Sequence, residues 1–112
     1  MSAEGLVTVA RVEDIPPGHA ARVEIDGRPV AIFNCDGEIF ALDDTCSHAE
    51  ASLSEGELDP DSCAIECPLH GSQFDLRTGE PLSLPAVLPV ASHRVVIEDG
   101  VVRVGLVQED RV

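Results

Sequence analysis

Apolar and polar positions alternate in short runs along most of this chain, and turn residues punctuate the runs. Leu6-Val7-Thr8-Val9-Ala10 is rich in β-formers and predicts a first strand. Ile15-Pro16-Pro17-Gly18 predicts a loop. Arg22-Val23-Glu24-Ile25 alternates, Asp26-Gly27 predicts a tight corner, and Pro29 to Phe33 resumes as a strand. Asn34-Cys35-Asp36-Gly37 predicts a second corner, followed by a strand over Glu38-Ile39-Phe40-Ala41-Leu42. Two successive hairpins with Asp-Gly corners make an antiparallel meander. The alternation fails over residues 43–89, where Asp, Glu, Ser, Pro and Gly dominate. Only short apolar pieces remain there, such as Ala64-Ile65 and Gln73-Phe74, with one helical turn expected at Glu50-Ala51-Ser52-Leu53-Ser54. Strands return at Val90 to Glu98 and Val101 to Val107, around a Glu98-Asp99-Gly100 turn. The pattern predicts an all-β domain over residues 1–112, with a loop-rich insertion at about 43–89 between a meander and a closing hairpin. A structureless stretch of that length in so small a domain points to function or to a staple.

Composition narrows what this domain does. With three Phe and no Trp or Tyr, the core has to be built from Val, Ile, Leu and Ala. The formal charge of −14, from 21 acidic and seven basic residues, leaves no basic face for nucleic acid or an anionic membrane. No apolar run approaches the roughly 20 residues of a membrane span. The first residues lack the basic and apolar regions of an export signal, so the expected location is the cytoplasm. Thiols stay reduced there, and the four Cys are expected as metal ligands or free thiols rather than disulfides.

The insertion holds Cys46-Ser47-His48 and, after eighteen intervening residues, Cys67-Pro68-Leu69-His70. Each short motif lets a single turn aim one thiolate and one imidazole at a common point, and Pro68 stiffens the second turn. Two Cys and two His suit a structural zinc, with all four on one tetrahedral ion. They equally suit a [2Fe–2S] centre with both Cys on one iron and both His on the other. Donor counting leaves both open.

The residues around the donors add a resemblance. Cys46-Ser47-His48, then Cys67-Pro68-Leu69-His70-Gly71-Ser72-Gln73-Phe74-Asp75 and Thr78-Gly79, resemble the Rieske ferredoxins of bacterial ring-hydroxylating dioxygenases. The similarity runs from about Leu6 to Val107 and includes Ala51-Ser52-Leu53-Ser54-Glu55-Gly56 and Ser83-Leu84-Pro85-Ala86. It implies a small Rieske-type antiparallel β-sandwich or barrel with a cluster-binding subdomain. It also implies one [2Fe–2S] cluster held by Cys46, His48, Cys67 and His70, with the histidine edges near solvent. Around them it places Ser72, Phe74, Leu69 and Pro85. Quinol-oxidising relatives add a disulfide between the two cluster loops, at positions that correspond to Ala51 and Leu69, so that clamp is absent. They also carry a Ser and a Tyr whose hydroxyls bond sulfur. Ser72 matches the Ser, but Phe74 stands where the Tyr would be. Losing a hydrogen bond to sulfur lowers the potential, as does an acidic body, so a potential in the lower half of the Rieske range of about −150 to +300 mV is expected. The resemblance further implies a one-electron carrier, with a flavin-dependent reductase as donor and a terminal non-haem iron oxygenase as acceptor. Service in iron–sulfur cluster assembly, an inorganic-substrate reductase, or a zinc-stapled interaction module are the alternatives. The chain is too short to add the mononuclear iron domain of an oxygenase, so no catalytic residue is expected.

Four other features complete the reading. His19 and His93 are expected at the surface or a sheet edge. Cys35 and Cys63 are expected as small free thiols. The acidic run Asp43, Asp44, Glu50, Glu55, Glu57, Asp59, Asp61 and Glu66 is either a solvated loop or a docking field for a basic partner face. Leu69, Ala49 and Pro85 are expected to supply an apolar contact at the tip.

Overall fold

A computed structural model of the chain describes residues 6–46, 51–69, 71–84 and 88–106. The strands are β1 (Leu6–Arg11), β2 (Ala20–Ile25), β3 (Arg28–Cys35), β4 (Glu38–Asp43), β5 (Glu57–Asp59), β6 (Ala64–Glu66), β7 (Gln73–Asp75), β8 (Ser92–Glu98) and β9 (Val101–Gly105). Single 3₁₀ turns occupy Val12–Asp14 and Leu53–Glu55, the latter close to the expected helical turn. Among the described residues no helix is long and apolar enough to cross a membrane.

Six strands form an antiparallel base sheet in the order β1-β9-β8-β4-β3-β2. Its tight corners use Asp26-Gly27, Asp36-Gly37 and Asp99-Gly100, with both residues of each pair at positive φ. That is the backbone of a type I′ hairpin turn, whose twist matches the flanking strands. Strand β3 is buried continuously from Val30 to Cys35 because it has a core on each side. Val30 and Ile32 join Ile15, Ile25, Ala41, Val102 and Val104 on one face. Val9 of edge strand β1 and Val23 of the opposite edge β2 pack on that same cluster, so the sheet curls round it. On the other face Ala31, Phe33 and Cys35 meet Leu53, Ile65, Phe74 and Leu76 from the insertion. The period-two alternation of a strand is thus divided between two cores.

The insertion is less structureless than its composition suggests. It contains a second antiparallel sheet in the order β5-β6-β7. Its strands have three residues each, and Leu58, Ile65 and Phe74 are aligned partners across all three. This one apolar row seats the small sheet on the base. One or two apolar residues per strand are too little signal for periodicity to detect.

Cys35 and Cys63 depart from the expectation of free thiols. They form a disulfide, with their Cα atoms 5.7 Å apart. Cys35 ends β3 at a hairpin corner, and Cys63 lies where the turn after β5 enters β6. Packing the small sheet on the base brings these two places together, which a separation of 28 residues does not announce.

His93 also departs from expectation. Its neighbour across the sheet is Ala41, and it is buried, with Nε2 donating to Asp43 Oδ1 at 2.8 Å. His19 is exposed, as expected.

Candidate metal centre

Two loops of the insertion start at buried cysteines. The first leaves β4 through Asp44 and Thr45. Thr45 bridges to Ser52, Leu53 N–H donates to Asp44 O (2.7 Å) and Cys46 N–H donates to Ala51 O (3.0 Å). These bonds pinch the chain shut on either side of residues 47–50. The second loop joins β6 to β7. Cys67 N–H donates to Ser72 O (2.7 Å), and Gly71 N–H donates to Cys67 O (3.0 Å). Each loop is therefore closed on its own main chain, with its cysteine at the root.

Cys46 (4% exposed) and Cys67 (1% exposed) belong to one apolar cluster and lie outside the disulfide. The sequence motifs put one imidazole on each loop, but His48 and His70 lie outside the described residues, as do Ala49 and Pro85. Ser72 and Phe74 are fully buried, Ser72 O accepting from Cys67 N–H, while Leu69 is 56% exposed. A third segment flanks the second loop. Leu82 N–H donates to Gln73 O (2.6 Å), Gln73 N–H donates to Ser83 Oγ (3.0 Å), and Phe74 bridges to Pro81. The proline-containing loop is thereby tied to β7.

The acidic run divides into two kinds of residue. Asp44 is buried and organises the first loop. Its carboxylate accepts from the Ser52 hydroxyl, from Ser54 N–H at 2.9 Å and from Arg22 Nε at 3.1 Å. Burial alone raises its pKa, but the Ser52 and Ser54 hydrogen bonds and Arg22 together hold it below the ordinary aspartate value of about 3.9. Burial likewise opposes ionisation of Asp43, and His93 and Arg28 reverse the effect. Both acids are held by partners within the fold, although Asp44 also lines an open groove with Arg22, Thr45, Ala51 and Ser52. Asp59 is also partly engaged, accepting from Asp61 N–H and the Ser62 hydroxyl. Glu55, Glu57 and Glu66 line open grooves. A groove of about 340 Å³ runs between Glu55, Gly56, Glu57, Glu66 and Pro68. A neighbour of about 290 Å³ shares Glu57 and Glu66 and adds Asp59. Glu50 lies outside the described residues.

A carboxyl whose pKa falls on folding adds stability in full above its unfolded value. That stability disappears as pH drops through the lower folded value. The protein is accordingly expected to weaken below about pH 4. Asp44→Ala leaves the Ser54 N–H and Ser52 hydroxyl without their acceptor and is expected to cost about 2–3 kcal/mol at pH 7. Urea unfolding at pH 7 and pH 3 checks both points: the variant should lose much less on acidification than the parent.

Three comparisons bear on the site. The family model described as "Rieske [2Fe-2S] domain" matches residues 5–94. The "3-phenylpropionate/cinnamic acid dioxygenase ferredoxin subunit" of Photorhabdus laumondii is 46% identical over 101 residues, covering 90% of this chain and 94% of its own length. Among solved structures, the ferredoxin of carbazole 1,9a-dioxygenase from Nocardioides aromaticivorans superposes with a TM-score of 0.87 at 39% identity, covering 90% of this chain and 97% of that one. A ferredoxin solved in complex with the oxygenase of carbazole 1,9a-dioxygenase superposes with a TM-score of 0.83 at 40% identity, covering 89% and 92%.

Proposed function

The chain belongs to the Rieske [2Fe–2S] domain family, and on that premise we propose that it is a single-domain electron carrier to a non-haem iron oxygenase that acts on an aromatic substrate. One observation carries the reading: two buried thiols share one core, and each stands at the root of a self-closed loop. That donor arrangement fits a Rieske-type cluster, which Cys46, Cys67, His48 and His70 would hold. When bound, the cluster accepts and returns a single electron. The protein's part is to exclude water from the thiolates by burial. Asp44 tethers Ser52 and Ser54 after the first loop, and Gln73 tethers Leu82 and Ser83. Ligation complete on all four positions leaves no open site for substrate, which fits a carrier rather than a catalyst.

A flavin-dependent reductase supplies the electrons in this reading, within the cytoplasm. Docking uses the acidic grooves at Glu55, Glu57 and Glu66 against a basic partner face, with exposed Leu69 as the apolar centre. Exposed charges steer association more than they hold the complex.

The test mixes reduced protein with a ring-hydroxylating oxygenase in a stopped-flow instrument. Two carriers should be oxidised per product formed. The second-order rate should fall several-fold as salt rises from about 0.01 to about 1 M, because the Debye length shrinks from about 30 to about 3 Å. Absence of electron delivery rejects the carrier role. A rate indifferent to salt rejects the charged docking face.

A further inference from the structure

We propose that the Cys35–Cys63 disulfide is a redox-responsive clamp that holds the small sheet on the base sheet and so governs how readily the cluster is lost. The inference rests on Cys46 and Cys67 being cluster ligands. Cys35 belongs to the base sheet, at the end of β3, and Cys63 to the small sheet, immediately before β6. Strand β6 is only three residues long and is the central strand of its sheet. The disulfide fastens the residue before it, and Cys67 follows directly after it. The bond thus anchors one end of the strand whose other end carries a ligand. Cys63 also adopts φ 54°, a left-handed conformation unusual for a residue with a side chain, and its carbonyl accepts from Leu76 N–H at 3.0 Å. The clamp therefore fixes the segment following β7 as well. Among the described residues no second disulfide ties the first loop.

The chemistry is thiol–disulfide exchange with a dithiol. A thiolate of the dithiol attacks Cys63 Sγ, the more exposed of the pair, and Cys35 leaves as a thiolate that takes up a proton. The second thiol then closes on the mixed disulfide and releases Cys63. Two electrons and two protons pass to the protein, and the dithiol becomes a disulfide. With both half-cystines nearly buried, exchange waits on opening of the turn before β6. The clamp therefore answers to sustained reducing conditions and ignores brief ones.

The experiment uses the cluster-loaded protein. Alkylation in denaturant without reductant, read by mass spectrometry, should leave Cys35 and Cys63 unlabelled. Incubation with dithiothreitol should then make an iron chelator bleach the visible absorbance about tenfold faster or more. The double variant Cys35→Ser/Cys63→Ser should bleach at the fast rate with or without dithiothreitol. Labelling of Cys35 and Cys63 before reduction overturns the proposal. So do equal bleaching rates before and after reduction, or acceleration of the double variant by dithiothreitol, which would show direct attack on the cluster. A coloured protein that fails these tests leaves the carrier role standing, whereas a preparation without iron overturns both.

Discussion

Replacing Cys67 by Ser is expected to yield a colourless protein with no bound iron or sulfide, and Cys46→Ser to do the same. In the proposed site each cysteine would supply a soft thiolate donor to the cluster, and a serine oxygen is a poor substitute for either. Cys67 is buried at the root of a loop held by its own N–H and carbonyl, so no neighbouring thiol can take its place. The other two cysteines are engaged with each other. Metal binding is also folding energy, so both variants should melt lower than the loaded parent. Iron and sulfide assays with a visible spectrum check the outcome. The Cys35→Ser/Cys63→Ser protein is the control and should purify with its red-brown colour. A coloured Cys67→Ser protein would remove this residue from the ligand set, and a parent containing zinc would remove the iron.

The second large effect is structural. Gly79→Ala is expected to destabilise the protein by about 3 kcal/mol or more, lowering the melting temperature by roughly 10 °C. Gly79 has φ +80°, and a β-carbon there would lie 2.1 Å from Val90 O. The obstacle is main chain and cannot swing aside. Val90 is buried in the core shared by the two sheets, and its N–H already donates to Gly79 O at 2.9 Å. Gly27→Ala makes the contrast. Its φ is +78°, but nothing lies within 4 Å of the new atom, so only backbone strain of about 1 kcal/mol applies. Thermal melts of the two variants separate steric exclusion from conformational strain. Similar losses in both would mean that Val90 yields.

The base sheet was legible because each of its hairpins carries two independent signals, alternation and an Asp-Gly corner. Cys46 and Cys67 stood out as candidate ligands because their motifs are short and keep their spacing whatever the surrounding structure. The small sheet was not, since Leu58, Ile65 and Phe74 act as one row only after three separated segments align. The Cys35–Cys63 bond was hidden for the same reason. A buried His93 is locally identical to an edge histidine, and its partner Asp43 is 50 residues away in sequence. Asp43 and Asp44 read as members of an acidic run, but the end of β4 and the residue after it deliver them to Arg28, His93 and Arg22 instead. Composition reports charge, and only packing tells which charges face a partner.

The insertion departs and returns at adjacent places: Leu42 pairs with Ser92, and Asp43 N–H donates to Ala91 O at 2.9 Å. To the base sheet the whole redox-bearing segment is one long hairpin connection. Closing such a connection depends only weakly on its length, at about 0.6 kcal/mol per doubling. Evolution can therefore lengthen, shorten or recharge the tip to suit a new enzyme while the platform beneath stays the same. An engineer retargeting this carrier would splice at these two neighbouring positions and keep the apolar row that seats the graft.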